Sequence, residues 1–324
     1  MNDFTQYLIK RAAFAIVSIF VIISFDFFLF RLMPGNPIEI LYRNPALSPS
    51  QIRALESQFG LNLPLWQQYL LFLNNTLRGN FGISIYYKEP VSNVLFPALV
   101  NSLILLIPAT IIAIILGIAT GRFAAYKRGK TSDFSITGVS MALYSIPTFW
   151  LGGMFILLAI ATGAFPVSGM YTIGESFSNI LSRLGNLASH MVLPVLTLVL
   201  VLYGQFTIIM RNSLIDVLGE DYITFAKSKG ASDSYMMRRH AMPNAELPMI
   251  SLIAVNLGLT VGGAILTEVV FSWPGIGLLI YNSINSRDYP VLQAAFVIIA
   301  IVIVLANLLA DVVYSYLDPR IRYK

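Results

Sequence analysis

Long apolar runs broken by short polar intervals dominate this chain. A helix that crosses a bilayer needs about 20 consecutive, mostly apolar residues. Six stretches meet that need: residues 12–33, 99–121, 134–163, 187–210, 247–267 and 289–310. The second carries no charge from Pro90 to Gly121, and the sixth none from Tyr289 to Ala310. Phe134 to Gly174 is also uncharged, but Pro147, Gly152, Gly153 and Pro166 interrupt it. That pattern predicts one kinked helix followed by a loop. Lys10 and Arg11 precede the first run as they would in a secretory signal. The run is long and no small-x-small site follows, so an uncleaved first helix is expected.

The polar interval after the first run has its own signals. Ser48-Pro49-Ser50-Gln51 fits a capping box with proline at the first helical position, and Gly60 suits a stop. A short helix over residues 49–59 follows. A second is predicted from Pro64 to Leu77, with Leu65, Tyr69 and Leu73 along one stripe. The chain therefore divides into residues 1–33, a segment 34–98 with two short helices, and a helical core 99–324 interrupted by a polar loop at 211–246.

Composition sharpens the class. Of 324 residues 56% are hydrophobic and only 11% charged, against about 25% charged in ordinary soluble domains. An all-α integral membrane protein with six spans is the expectation. With no cysteine, thiol nucleophiles, disulfides and iron–sulfur clusters are excluded. His190 and His240 lie on different segments, so no metal site is expected. The net charge of +5 arises from basic residues scattered over short loops, which argues against nucleic acid.

Those basic residues set the direction. With the N-terminus inside, cytoplasmic pieces hold fourteen Lys and Arg, and the two short external loops hold only Arg183 and Arg287. Both termini, and the loop 211–246, are then cytoplasmic. The helices at 49–59 and 64–77 are external.

The cytoplasmic loop contains EDYITFAKSKGASDSYMMRRHAMPNAELP, residues 220–248, and is too polar for a bilayer interior. Tyr222 to Lys229 predicts a short helix ended by Gly230. Asp233 is expected to cap a second helix that Pro243 stops. From Arg211 to Glu246 five basic residues face five acidic ones, which favours a shaped socket over a charged patch.

Other chemistry is thin. Gly129-Lys130-Thr131 looks like the end of a phosphate-binding loop, but position 124 is Ala where a Gly is required, and no strand precedes it. Asp26 lies about 21 Å along the first span at the usual rise, and Glu268 sits at the outer end of the fifth. Acids so placed serve proton coupling or interhelical pairing. No chain of carboxylates accompanies them, and no nucleophile–base pair marks an intramembrane enzyme. In span five, Gly258, Gly262, Gly263 and Ala264 lie among Asn256 and Thr260, a pattern of close helix packing or of a polar path.

The helix–Gly–helix loop resembles that of ABC importer permeases, whose signature reads E-A-A, three residues, G, nine residues, I-x-L-P. Ala226, Gly230 and Met242-Pro243 match its second Ala, its Gly and its Leu-Pro in register. Thr224, Phe225 and His240 replace its Glu, first Ala and Ile. Further matches extend over almost the full length. They include Arg31-Leu32-Met33-Pro34-Gly35-Asn36-Pro37, Gly60-Leu61-Asn62-Leu63-Pro64 and Gly79-Asn80-Phe81-Gly82. Ser145-Ile146-Pro147-Thr148-Phe149-Trp150, Phe271-Ser272-Trp273-Pro274-Gly275-Ile276-Gly277 and Arg287-Asp288-Tyr289-Pro290 follow, then Leu317-Asp318-Pro319-Arg320. On these motifs the chain is similar to the B-type subunit of the dipeptide/oligopeptide/nickel permeases.

That resemblance implies a type I importer permease fold in a prokaryotic cell membrane. It implies a second homologous permease subunit, two cytoplasmic ATPase subunits that carry ATP and magnesium, an external binding protein and surrounding lipid. The chain itself would bind no cofactor and catalyse no reaction. Asp221, Tyr222, Phe225, Ala226, Lys227, Lys229, Gly230 and Pro243 would couple it to the ATPase. Asn256, Thr260, Gly263, Glu268, Trp273 and Pro274 would line or gate the path. Peptides, nickel and oligosaccharides are all carried within the family; an ion-coupled transporter is the alternative of a different class.

Overall fold

The structure, a computed structural model, describes residues 3–32, 48–60, 63–250, 252–253 and 265–317. The motif at 33–37, most of the predicted span 247–267 and the tail 318–324 lie outside these residues. The described elements are helical: α1 (Asp3–Leu32), α2 (Pro49–Phe59), α3 (Leu65–Leu77), α4 (Val91–Tyr126), α5 (Thr131–Ser145), α6 (Thr148–Thr162) and α7 (Ile180–Leu218) come first. They continue with α8 (Asp221–Ser228), α9 (Asp233–Met236), a π turn (Met237–Ala241), α10 (Met242–Ala245), α11 (Ile265–Val270), α12 (Ile276–Ser286) and α13 (Tyr289–Leu317).

Among the described residues, four helices are long and apolar enough to cross a membrane: residues Thr5–Leu32, α4, α7 and Tyr289–Leu309. The pair α5 and α6 makes a fifth candidate, bent by 97°. Where the sequence predicts one kinked helix, the chain forms two. Ile146 precedes Pro147 and is held extended, at φ −75° and ψ 128°, because the proline ring excludes the helical region one residue earlier.

The ion pair of Arg11 with Asp311, at 3.1 Å, joins the start of α1 to the end of α13. Phe30 meets Tyr289 edge-on, 6.5 Å between centroids, at their other ends. Val91 and Leu95 of α4 pack into this second region with Phe30 and Val291. One end of the bundle thus holds residues 30, 91 and 289; the opposite end holds residues 11, 126 and 311.

The α4 and α7 helices run in the same direction, at about 54 and 58 Å by the α-helical rise. Gly117 and Gly121 let them touch: a Cβ at either would collide with Phe206, Thr207 or Met210. Antiparallel α5 packs on α7 through Gly204, whose missing Cβ makes room for the Ser140 carbonyl. Close backbone approach of this kind replaces hydrophobic burial as the packing device where the surroundings are already apolar.

The two short helices after α1 form as their local chemistry dictates. Gln51 N–H donates to Ser48 Oγ at 3.3 Å, and Ser48 N–H donates to Gln51 Oε1 at 2.8 Å, a closed capping box. Gly60 ends α2 at φ +60°. Helix α3 lies against α1: the Tyr69 hydroxyl meets Ser24 Oγ at 2.6 Å, and its ring packs on Phe27 and Phe28.

Candidate functional site

Two polar assemblies sit at opposite ends of the bundle. The first follows α7. Its short helix α8 begins with Asp221, whose carboxylate suits the positive N-terminal turn. Ile223 turns inward and is 1% exposed; Tyr222 and Phe225 turn outward, at 42% and 60%. The Lys229 ammonium stands 4.4 Å from the Phe225 ring centre, capping one side of that aromatic.

The reversal after α8 is a Schellman turn. Gly230 N–H donates to the Lys227 carbonyl at 2.9 Å, and Ala231 N–H to the Ala226 carbonyl at 3.3 Å. Gly230 takes φ +82°, where a Cβ costs about 1 kcal/mol. The matched Ala226 and Gly230 are therefore the two ends of one main-chain device. Ser232, not the expected Asp233, caps the next helix: its Oγ accepts from Tyr235 N–H at 3.3 Å, and Asp233 is the first helical residue. Both residue types cap well, and the one whose extended backbone precedes the helix wins.

Pro243 does not stop that helix. The chain stays helical to Ala245 by way of the π turn at Met237–Ala241. The wider turn makes room for a proline ring that an α turn would drive into the carbonyl four residues back. His240, in the place of the signature Ile, stacks edge-on with Tyr235 at 5.7 Å.

The elbow is seated on α7 by sulfur and small side chains. Met236, Met237, Met242 and Met249 are buried in one cluster with Phe206, Met210 and Leu214. Ser213 Oγ donates to the Ala245 carbonyl at 2.8 Å. Beside this seat, Arg211 grips Asp133 with two bonds, Nε to Oδ1 at 2.5 Å and Nη2 to Oδ2 at 2.7 Å. Gly129 N–H adds a third donor to that carboxylate at 3.0 Å. This forked pair ties the start of α5 to the end of α7 across 78 positions of sequence, and nothing local to either residue announces it.

The second assembly surrounds Glu268, 1% exposed. Its Oε1 accepts from Ser102 Oγ at 2.6 Å, and its Oε2 from Gly277 N–H at 2.7 Å and Leu278 N–H at 3.3 Å. Ser102 Oγ accepts from Ile276 N–H at 2.8 Å. Two distant side chains therefore satisfy the first three donors of α12, and the carboxylate sits against the positive end of that helix. Trp273 is fully buried and donates from Nε1 to the Asn101 carbonyl at 2.9 Å; the Asn101 amide returns a bond to the Pro274 carbonyl at 2.9 Å. Gly275 has no room for a Cβ because the Glu268 carboxylate occupies that space, and at Gly277 the Ile265 backbone fills it first, with the same carboxylate beside it.

Nearby, Asp288 is fully buried and accepts from Ser84 Oγ, from Ile85 N–H at 3.2 Å and from Tyr86 N–H at 3.1 Å. It clamps the turn before α4 onto the link between α12 and α13. Burial, then the proximity of Tyr86 and Asp288, pushes the Tyr87 phenol above its ordinary range.

Of the sequence-predicted path residues, Asn256, Thr260 and Gly263 lie outside the described residues. Glu268, Trp273 and Pro274 are brought together, braced from Asn101 and Ser102. Those two went unmarked because a neutral amide and hydroxyl in an apolar run carry no pattern. Among the described residues no cluster of His, Asp or Glu has the arrangement of a metal site.

Several apolar helices long enough to span, a polar elbow at one end and a buried hydrogen-bonded brace at the other define a multi-pass membrane protein. The family described as "Binding-protein-dependent transport system inner membrane component" matches residues 113–323, and its N-terminal counterpart matches residues 4–94. The chain belongs to that family. It is 34% identical over 336 residues to the dipeptide transport system permease protein DppB of Escherichia coli, covering 98% of this chain and 99% of that one. It is equally 34% identical over 319 residues to the oligopeptide transport system permease protein AppB of Bacillus subtilis, with the same coverage. A probable peptide ABC transporter permease of Sinorhizobium fredii is 34% identical over 318 residues.

Proposed function

We propose that this chain forms half of the translocation path of an ATP-driven importer of peptides, with the elbow as its point of drive. The carrying observation is the polarity of α8: Ile223 is sealed into the helical core while Tyr222 and Phe225 face outward, 42% and 60% exposed. A lone exposed aromatic needs no explanation. Two on one short helix, clamped to a helix long enough to span, are suited to a partner's groove. That partner is a cytoplasmic ATPase, which carries ATP and magnesium. Asp221, Lys227 and Lys229 lie at the rim of the contact, while Ala226, Gly230 and Pro243 shape the elbow.

In this reading both termini and the elbow are cytoplasmic, and six spans cross the membrane. The shared end of Arg11 and Asp311 supports an even number of crossings. Helices α2 and α3 are then external, beside the docking side of a solute-binding protein. A second, homologous permease completes the path. Asn256, Thr260 and Gly263 contribute to its lining, and Glu268, Trp273 and Pro274 brace its outer gate from within the fold. When ATP closes the ATPase pair, α8 moves with its groove, and the Arg211–Asp133 fork carries the motion into α5. The two packings of the spans then exchange stability.

Peptides are favoured over nickel or oligosaccharides by the names of the relatives. The test replaces Tyr222 and Phe225 together by Ala in the assembled transporter. Anchors of this type are worth about 2 kcal/mol each, so ATPase co-purification falls at least tenfold and peptide uptake is lost, with unchanged membrane insertion. Uptake at the wild-type rate overturns the assignment.

A further inference from the structure

A cleft of about 480 Å³ opens between the end of α4 and the second arm of the elbow. Ala119, Arg122, Phe123 and Tyr126 form one wall; Asp233, Ser234, Met237 and Arg238 form the other. Neither the Arg122 nor the Arg238 guanidinium hydrogen-bonds or ion-pairs with another described residue, and among the described lining residues the only acid is Asp233. Two unpaired guanidiniums lining one cleft suit an oxyanion as its occupant.

The height of the cleft identifies the anion's source. In α4, Arg122 is the first charge after thirty-one uncharged residues from Val91 onward, which puts it where a spanning helix leaves the hydrocarbon. Tyr126, one turn further, is 60% exposed, as an interfacial aromatic should be. Towards the bilayer centre the same face continues as Ile115, Ile111 and Ile107, spaced by four and all about half exposed or more. Gly117 and Gly121 face the other way, into α7. A groove with two free guanidiniums at headgroup level and an apolar rail beneath matches a phospholipid in outline and in charge.

We infer that this cleft holds the headgroup phosphate of one anionic phospholipid between Arg122 and Arg238, with an acyl chain along Ile115 and Ile111. The Asp233 carboxylate and Ser234 hydroxyl at the rim suit a headgroup that carries hydroxyl donors, so phosphatidylglycerol is the preferred species. The lipid joins the spanning helix α4 to the elbow, and its occupancy steadies the elbow against α7. This rests on the reading of the elbow as the driven element on the cytoplasmic side.

The experiment uses the whole transporter in lipid nanodiscs of phosphatidylcholine, alone or with phosphatidylglycerol at about a quarter of the lipid. Native mass spectrometry reads the bound phosphatidylglycerol. The expected result is one retained molecule in the wild type and, for Arg122→Gln with Arg238→Gln, affinity weaker by about 25-fold, on the order of fivefold for each arginine. Arg122→Lys with Arg238→Lys keeps the charge, folds as the wild type does, and recovers most of the binding. Phosphatidylglycerol stimulates ATP hydrolysis in the wild type and not in the glutamine pair. Unchanged retention in the glutamine pair overturns the proposal. Displacement of the lipid by soluble glycerol phosphate at similar concentration overturns it too, by making the site one for free anions. So does efficient cross-linking of Ala119→Cys to the second permease, which would make this face a subunit contact. Loss of the Tyr222 and Phe225 effect would sink the coupling assignment and leave lipid retention untouched, so the two failures are distinguishable.

Discussion

The two ends of the molecule are held by different physics. Around Glu268 every strong contact is directional: a carboxylate with three donors, an indole N–H on a carbonyl, an amide returning the bond. Under the elbow the seat is four buried methionines against Phe206 and Leu214, with one hydroxyl bond beside it. Hydrogen bonds in an apolar setting define a single geometry and penalise departures from it. Thioether side chains pack well in several geometries at small cost. The brace is therefore built to keep its shape, and the seat to tolerate repositioning of the element above it.

Breaking the brace gives the largest effect. Glu268→Ala orphans the Ser102 hydroxyl and two N–H groups of α12, at about 1 kcal/mol each, so a loss near 3 kcal/mol is expected in thermal unfolding of the purified protein. Next comes the fork beside the seat. Asp133→Asn removes the charge that Arg211 grips, and about 2 kcal/mol should go with it. The same variant should keep the ATPase bound but slow uptake, since α5 no longer follows α7; uptake and co-purification falling together would argue against that division.

A matched pair then tests the contrast itself. Trp273→Phe leaves the Asn101 carbonyl without its donor and creates a void, costing about 2 kcal/mol. Met237→Leu conserves volume in the adaptable seat and should cost under about 1 kcal/mol. Equal losses from the two would dissolve the distinction between the ends. Gly230→Ala is expected to have an effect of comparably small size, about 1 kcal/mol of left-handed strain at a site where the added Cβ meets nothing within 4 Å.

What was legible in the sequence followed locality. The capping box at Ser48 and Gln51, the helix after Pro64 and the stop at Gly230 each rest on residues within one turn, and each appears as expected. Proline was harder to read. Pro147 breaks its span into two helices at 97° where a kink was expected, and Pro243 is absorbed by a π turn where a stop was expected. In both, the outcome depends on how neighbouring turns relax, which a single residue type does not encode. The partners of Glu268 were invisible because Ser102 lies 166 positions away in an uncharged run. The Asp133–Arg211 fork was hidden by distance in the same way, although both residues sit where spans end and charge is expected.

The Schellman turn at Gly230 has a consequence for how such a surface diverges. Its two closing bonds run between main-chain atoms, so the path of the elbow owes little to the side chains at Thr224, Phe225, Lys227 or Ser228. Substitution at those positions rewrites the face offered to a partner and leaves the corner where it was. Thr224 and Phe225, which differ from the family signature, can then be read as a change of lock on an unchanged hinge: a lineage can switch or insulate the partner proposed for α8 by drifting through point changes, with no folding crisis along the way.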